Sequence, residues 1–231
     1  MAQGIIDQYM IKSVADKKQA LQSMARQVQN LFKAELETCH LNDLDMKLYL
    51  LQDSVTEVNF SPEQVESIWA NMPYWAFAWS SGRALARYIL DNPTLVQGKR
   101  ICDFGAGSGI VAIAALKAGA SEAWACDIDP MAHIASQQNA KLNGFELNCC
   151  ENLQQAGNVD LIVVGDVLYD TRNHGLAQTL FSKECPVIWA ESRAQTKLSH
   201  YGPVAKYQGE TQPNLGGFDE HQNIHIYHHG I

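Results

Sequence analysis

The sequence of 231 residues contains no long uninterrupted run of apolar residues. A helix that crosses a membrane needs roughly 18 or more consecutive apolar residues, so we expect no membrane span. Residues 1–8 contain no basic start followed by an apolar stretch. The sequence therefore predicts neither a secretory signal nor an Arg-rich transit peptide.

Basic residues are also scarce. The chain has 17 Lys and Arg against 25 Asp and Glu, which gives a formal net charge of −8, and its basic residues are scattered. Because binding to nucleic-acid phosphates needs a concentrated basic face, we expect no nucleic-acid partner. With 46% apolar and only 18% charged residues, the composition excludes intrinsic disorder and suits one domain of ordinary size.

Cysteine pairs with CxxC spacing are absent, although the chain has six cysteines. Three of them lie in apolar, strand-like runs, so we expect buried, reduced thiols in a cytoplasmic protein rather than a disulfide framework. Four histidines near the end alternate as in a strand, without a cysteine or carboxylate that would complete a tetrahedral set, and no metal is predicted. These are His221, His225, His228 and His229. No pattern indicates an oligomeric state.

Residues 1–72 are predicted to form a helical extension that packs on the main domain. Residues 11–34 contain neither Pro nor Gly, and their apolar residues recur at helical spacing, which predicts one long amphipathic helix. Residues 46–51 (MKLYLL) form a short strand-like run. Ser61 is expected to be the N-cap of a second helix, with Pro62 in its first turn.

Residues 73–231 are predicted to form the main domain. Strands that are apolar on both faces alternate with helices, which indicates a parallel sheet covered on both sides. The predicted strands are 100–104, 122–127, 147–150, 160–165 and 186–190, and the predicted helices are 80–90, 110–118, 130–142 and 175–181. Two more strands, 204–207 and 224–228, are expected to form an antiparallel hairpin at the sheet edge. The fold prediction is therefore an α/β, Rossmann-like, doubly wound seven-stranded sheet with a C-terminal hairpin.

The motif with the most chemical content is DFGAGSG at residues 103–109. A strand that leads into a glycine-rich turn and then a helix lets a ligand lie against the backbone, because glycine has no Cβ. A dinucleotide site needs G-x-G-x-x-G, but Ile110 occupies the sixth position. Asp103 would repel a pyrophosphate, whereas it suits a ligand with an ammonium group, such as the methionine end of S-adenosylmethionine.

A second motif, CDIDP at residues 126–130, ends the second predicted strand. A carboxylate at this point of a doubly wound sheet accepts hydrogen bonds from both hydroxyls of a ribose. Asp127 is the better placed of the two acids. Asp129 is instead expected to be the N-cap of the helix that begins at Pro130.

Together with GDVLYD at residues 165–170, these motifs resemble those of class I, seven-stranded S-adenosylmethionine-dependent methyltransferases. The segment PYWAFAWSSGRALARY at residues 73–88 is similar to the subgroup that contains electron-transfer-flavoprotein β-subunit lysine methyltransferases and nicotinamide N-methyase-like proteins. The resemblance covers residues 73–190, about half of the chain. It implies a methyltransferase fold and an enzyme that uses S-adenosylmethionine and releases S-adenosylhomocysteine.

The resemblance also implies a set of cofactor contacts. The glycines of the turn would line the methionine and ribose part, Asp103 would face the amino group, and Asp127 would hold the ribose hydroxyls. The residue after the third strand, Glu151 or its neighbour Asn152, would contact the adenine, and Trp79 would close over the cofactor. The implied contacts are Trp79, Asp103, Gly105, Gly107, Gly109, Asp127, Glu151 and Asp166.

Catalytic roles are implied for Asp166 and Tyr169, which match a D-x-x-[YF] pattern after the fourth strand and would face the methyl group and its acceptor. The favoured acceptor is a nitrogen, most of all that of a protein lysine. The alternatives are a small-molecule N-methyltransferase and a non-catalytic S-adenosylmethionine-binding protein. The turn at residues 190–193 (AESR) departs from the Asp-Pro-Gly-Arg-like turn of eukaryotic members, and the polar loop at residues 208–223 is expected to overhang the same mouth.

Overall fold

The computed structural model describes residues 14–168, 173, 175–182, 184–192, 198, 201–214 and 223–231. Its first helix, α1 (Val14–Phe32), confirms the long helix within these bounds. Met24, Val28 and Phe32 follow one another at intervals of four residues and are fully buried. They belong to one apolar cluster with Trp75 and Ala135, so the apolar stripe of α1 packs against the rest of the chain.

A two-stranded hairpin follows α1, formed by β1 (Leu36–Leu41) and β2 (Met46–Leu51) in antiparallel register. The predicted strand-like run at residues 46–51 is thus confirmed as β2, whereas β1 is an addition to the predicted helical extension. In β1 only Cys39 and Leu41 are buried, and the other side chains lie partly or fully in solvent. Because β1 lacks an apolar run, its strand conformation depends on pairing with β2, which no local pattern in β1 signals.

The second helix, α2 (Pro62–Ala70), begins where the sequence predicts it. The Ser61 side chain accepts a hydrogen bond from the Gln64 amide at 3.3 Å, and the Gln64 side chain accepts one from the Ser61 amide at 2.8 Å. This reciprocal capping box satisfies two amides that a helix start leaves unpaired. Ile68 is the one buried residue of α2, so most of the helix surface is exposed.

The main sheet has seven strands in the order β5-β4-β3-β6-β7-β9-β8. In chain order its elements are α3 (Ser80–Asp91), β3 (Arg100–Phe104), α4 (Ile110–Lys117), β4 (Glu122–Cys126), α5 (Pro130–Leu142), β5 (Asn148–Cys150), α6 (Leu153–Ala156), β6 (Leu161–Gly165), α7 (Leu176–Phe181), β7 (Val187–Glu191), β8 (Ala205–Gln208) and β9 (Asn223–His229). Strands β3 to β7 are parallel, whereas β9 runs antiparallel to both β7 and β8. The Rossmann-like fold and its C-terminal hairpin are thus confirmed.

Helices cover both faces of this sheet. Leu85 of α3 and Ile113 of α4 pack on one face, and Ala156 of α6 and Leu180 of α7 pack on the other. Strand order changes direction between β3 and β6, and in open α/β sheets ligands bind in the crevice beyond the strand ends at such a point. Among the described helices, none combines the length and the apolar character needed to cross a bilayer.

Candidate functional site

A cavity of about 530 Å³ opens at the carboxyl ends of β3, β4 and β6. This volume lies in the range of small-molecule sites. Its wall includes the carboxylates that follow these strands and aromatic residues that precede α3. The lining residues on which the site depends are Trp69, Tyr74, Trp75, Trp79, Asp103, Gly105, Gly107, Asp127, Ile128, Glu151, Asp166 and Asn173.

The glycine-rich turn forms the floor between β3 and α4. Gly105 has a φ of +75°, and a Cβ at this position would lie 2.8 Å from the Cγ1 atom of Val167. Gly107 has a φ of +50° and donates its amide proton to the Asp127 carboxylate at 2.9 Å. Both glycines line the cavity, so the turn keeps backbone at the surface where a ligand can approach it closely.

Gly109 has a different position from its predicted one. It does not line the cavity, and it is the N-cap of α4 with a φ of +77°. A Cβ on Gly109 would lie 2.6 Å from the Cβ atom of Ser136 on α5. The structure therefore gives Gly109 a packing role, because the absence of a side chain at this position lets α4 and α5 approach each other.

Asp103 is 2% exposed and borders the cavity. Its carboxylate accepts a hydrogen bond from the Ala112 amide at 3.0 Å, which supplies the capping acceptor that Gly109 lacks at the start of α4. Burial raises the pKa of Asp103 to about 7, although the Ala112 amide opposes this and the negative charge of Asp127 adds to it. A buried carboxylate without a cationic partner is unfavourable, so the site favours a ligand that brings a positive charge.

Asp127 joins the two motifs of the site. One carboxylate oxygen accepts a hydrogen bond from the Gly107 amide, and the other accepts one from the Asp129 amide, each at 2.9 Å. The carboxylate thus has a fixed position in the cavity wall. Asp129 is the N-cap of α5, as the sequence predicts, because its side chain accepts from the Met131 amide at 2.8 Å.

The position after β5 is occupied by Glu151 and Asn152, which the sequence leaves as alternatives. Glu151 lines the cavity. Asn152 is instead the N-cap of α6, where its side chain accepts from the Gln155 amide at 3.2 Å. Glu151 is therefore the residue of this pair with access to a ligand.

An aromatic wall precedes α3. The indole of Trp79 donates to the backbone oxygen of Tyr74 at 2.8 Å, and its ring centroid lies 5.1 Å from that of Phe77 and 5.7 Å from that of Tyr74. Trp79, Tyr74 and Trp75 line the cavity, whereas Phe77 supports them from the core. Such faces attract a cationic ligand by cation–π interaction.

Asp166 follows β6 and borders the cavity. Its φ of +50° is unusual for a residue other than glycine. The side-chain oxygen Oδ1 accepts hydrogen bonds from the hydroxyl of Ser192 at 2.7 Å and from the Ser192 amide at 3.4 Å. Ser192 directly follows β7, within the AESR sequence whose departure from the family pattern is described above, and it contacts Asp166 of the site directly. Tyr169 lies outside the described residues.

Sequence reasoning missed several residues of the wall. Trp69, at the end of α2, is 53% exposed and lines the cavity. Ile128 is 78% exposed beside Asp127, and the Asn173 side chain donates to the backbone oxygen of Val167 at 2.9 Å. No local pattern in α2 marks Trp69 as part of the wall, because Val65 and Ile68 of the same helix are also apolar. Of the long polar loop, residues 209–214 lie next to α3, where Gln212 pairs with Ala78.

Five carboxylate residues line this cavity at or after the ends of four strands: Asp103, Asp127, Asp129, Glu151 and Asp166. In the described part of the chain, no Lys or Arg lines the cavity. The wall therefore combines negative charge, aromatic faces and exposed backbone. This arrangement suits a cationic ligand with hydroxyl groups and does not suit a polyphosphate.

A model of the family described as ribosomal protein L11 methyltransferase (PrmA) matches residues 84–171. The matched segment includes the glycine-rich turn, Asp127, Glu151 and Asp166. It leaves out the N-terminal region that contributes Trp69, Tyr74, Trp75 and Trp79 to the cavity.

Curated relatives extend the similarity. The electron transfer flavoprotein beta subunit lysine methyltransferase of Mus musculus is 50% identical over 103 residues, which are 42% of this chain and 40% of the relative. Its namesake from Xenopus laevis is 48% identical over 149 residues, which are 58% of this chain and 61% of the relative. The ribosomal protein L11 methyltransferase of Haemophilus ducreyi is 49% identical over 84 residues, which are 35% of this chain and 28% of the relative. The chain thus spans less than two thirds of the length of each of these relatives.

One match among solved structures is the ribosomal protein L11 methylase from Lactobacillus delbrueckii subsp. bulgaricus. It is 24% identical, has a TM-score of 0.48, and the match covers 64% of this chain and 77% of that one. The sequence motifs, the sheet order and the family match agree. Residues 84–171 of this chain are therefore similar to a PrmA-like methyltransferase domain.

Proposed function

We propose that this protein is an S-adenosylmethionine-dependent methyltransferase that transfers a methyl group to a lysine side chain of another protein. One observation supports this most directly: the glycine-rich turn, Asp103, Asp127 and Asp166 border one cavity. The mouse and frog relatives are named lysine methyltransferases. The alignments cover only part of each chain, and the lysine acceptor is proposed for this protein by analogy with these relatives.

The donor set of the cavity fits the cofactor. The buried carboxylate of Asp103 is suited to the cofactor's amino group, and the fixed carboxylate of Asp127 is suited to its ribose hydroxyls. Gly105 and Gly107 leave room for its methionine and ribose part, and Glu151 is the candidate residue for contact with its adenine. When bound, S-adenosylmethionine supplies a methyl group on a positively charged sulfur. Carboxylates and aromatic faces around that charge favour its binding.

The acceptor nitrogen must have a free lone pair, so a lysine ammonium has to lose its proton before it accepts a methyl group. Asp166 is proposed to orient the amine and to stabilise the positive charge that develops on the nitrogen. The Ser192 hydroxyl holds the Asp166 side chain through Oδ1. Tyr169 is proposed to hydrogen-bond beside it. Positioning and the exclusion of water by the aromatic wall supply the remaining rate enhancement.

Trp69 is proposed to contact the acceptor protein at the mouth of the cavity. It is the most exposed aromatic residue of the cavity wall, and it lies outside the segment that the family model matches. Glu63 and Glu66 on the same helix are exposed acids, which would favour a positively charged, lysine-bearing segment over an acidic one.

The cytoplasm is the proposed compartment, since all six cysteines are free thiols. A small-molecule amine acceptor and cofactor binding without turnover are the alternatives. A nicotinamide-dependent oxidoreductase is disfavoured by Asp103 and Ile110, and a thermal-shift comparison of S-adenosylhomocysteine with NAD tests this directly. Stabilisation by NAD alone would contradict the proposal.

The acceptor is tested by incubating the purified chain with methyl-labelled S-adenosylmethionine and a cell lysate. We expect label in one or a few proteins, and mass spectrometry is expected to locate it on lysine. Label confined to small molecules would favour the metabolite alternative. No labelled product in spite of tight S-adenosylhomocysteine binding would favour binding without turnover.

A further inference from the structure

Three cysteine thiols form a cluster under the cavity floor, on the sheet face opposite to α4. Cys102 of β3, Cys126 of β4 and Cys150 of β5 place their Sγ atoms within 4.8 Å of one another. All three side chains are buried. None of the three cysteines is a predicted cofactor contact, and the proposed methyl transfer does not use them.

The sheet register explains why these thiols meet. Cys126 pairs with Cys150 on the neighbouring strand, and Phe104, two residues after Cys102, pairs with Cys126. Because side chains alternate between faces along a strand, all three thiols point to the same face. Cys149 precedes Cys150 and points to the opposite face, where it contacts the hydroxyl of Ser136. It is a natural control for the cluster.

The cluster is close to a solvent route. Cys126 is part of the cavity wall, so the cluster lies next to a space that a small ion can enter. On the other side, the cover consists of the four-residue helix α6, whose Ala156 packs in the same apolar cluster as the three cysteines.

We propose that Cys102, Cys126 and Cys150 form a binding site for a soft monovalent cation, Cu(I), through their three sulfur atoms. Thiolate ligands select Cu(I) and Zn(II) over harder cations. In the described part of the chain, no fourth His, Cys, Asp or Glu joins the group, whereas structural zinc sites are almost always four-coordinate. Three sulfurs bonded at about 2.3 Å to one ion lie about 4 Å apart, so the cluster needs to contract by at most ~1 Å.

Copper binding releases protons and involves no change of oxidation state. Each thiol that binds as a thiolate releases one proton to solvent, and copper stays in the Cu(I) state throughout. A single positive charge next to one thiolate leaves a neutral unit in the apolar core, so one proton is released per copper ion and the other two cysteines bind through neutral thiol sulfurs. Because protons compete with the metal, the affinity is expected to fall as the pH falls.

The test is an anaerobic titration of the reduced, full-length protein with Cu(I), in competition with the chromophoric chelator bathocuproine disulfonate. We expect one tightly held Cu(I) per chain. Cys150→Ser and Cys102→Ser are expected to weaken its retention at least 100-fold. Cys149→Ser makes the same chemical change at the adjacent buried position, and it is expected to keep the tight site.

X-ray absorption at the copper edge measures the number of sulfur neighbours in the unmutated protein, so this test does not depend on how well the variants fold. We expect three sulfur neighbours at about 2.3 Å, the length typical of bonds between thiolate and a closed-shell metal ion. The proposal is overturned if the unmutated chain retains no Cu(I) against the chelator, if copper has only two sulfur neighbours, or if Cys149→Ser loses as much affinity as Cys150→Ser.

Discussion

Asp103→Asn separates the observed role of the Asp103 carboxylate, the capping of α4, from its proposed role in binding a cationic cofactor. Asparagine keeps an oxygen that accepts the Ala112 amide proton, which Asp103 now accepts at 3.0 Å. The variant removes the charge but leaves the cap. The structure therefore predicts weaker cofactor binding without loss of fold.

The magnitude follows from the pKa of Asp103, which burial raises from 3.8 to about 7. Between these values the folded, unliganded chain holds a proton that the unfolded chain has lost, so the free energy of unfolding falls as the pH rises through this window. The difference corresponds to ~4 kcal/mol as an upper bound. Asp103→Asn lacks this titration, so the unliganded variant is expected to be at least as stable as the wild type at pH 7.5.

Cofactor affinity should have the opposite pH dependence, because an ammonium group binds the ionised carboxylate. With a pKa near 7, S-adenosylhomocysteine is expected to bind about eightfold more weakly at pH 6 than at pH 7.5. At pH 7.5, Asp103→Asn is expected to weaken binding roughly 10- to 100-fold, as for the loss of a hydrogen bond between charged groups. Calorimetry at both pH values and thermal unfolding of both proteins measure these quantities.

Two results would refute this reasoning. A wild-type dissociation constant that is the same at pH 6 and pH 7.5 would mean that the cofactor does not depend on Asp103 ionisation. A variant that binds S-adenosylhomocysteine normally but unfolds at a lower temperature would assign Asp103 to the helix cap alone.

Three further predictions concern turnover, packing and substrate recognition. Asp166→Asn, which tolerates the left-handed backbone at this position, should lower turnover roughly 100- to 1000-fold with unchanged S-adenosylhomocysteine affinity; normal turnover would exclude the proposed role. Gly109→Ala should lower the free energy of unfolding, measured in urea, by ~2–4 kcal/mol because its Cβ meets Ser136. Gly144→Ala, at a similar φ but in open space, should lower the free energy of unfolding by only ~1 kcal/mol. Equal losses in the two variants would contradict the packing role. Trp69→Ala should raise KM for the protein substrate roughly tenfold and leave Tm unchanged; a lowered Tm with unchanged KM would make this residue structural.

The order of strands and helices could be predicted because local signals coincide with element ends in residues 73–231. β3 occupies its predicted bounds, and α5 begins at Pro130 after the Asp129 cap, as predicted. β1 could not be predicted, since two buried side chains among polar ones become a strand only through pairing with β2.

The candidate site could be predicted where its residues directly follow strands. Asp103, Asp127 and Asp166 line the cavity as expected. Ser192 and Trp69 could not be assigned, because their nearness to the cavity arises from the pairing of β6 with β7 and from the packing of α2. Gly109 shows the converse difficulty, since a sequence does not distinguish a glycine that admits a ligand from one that admits a neighbouring helix.

The central claim, methyl transfer to protein lysine, is tested most directly by mass spectrometry of lysate proteins treated with methyl-labelled S-adenosylmethionine and the purified chain. The account predicts labelled methyl groups on the ε-nitrogen of lysine, which disappear when Asp166→Asn replaces the wild type. Label that appears on other side chains or only on small molecules, or label that is equally strong with the variant, would contradict it.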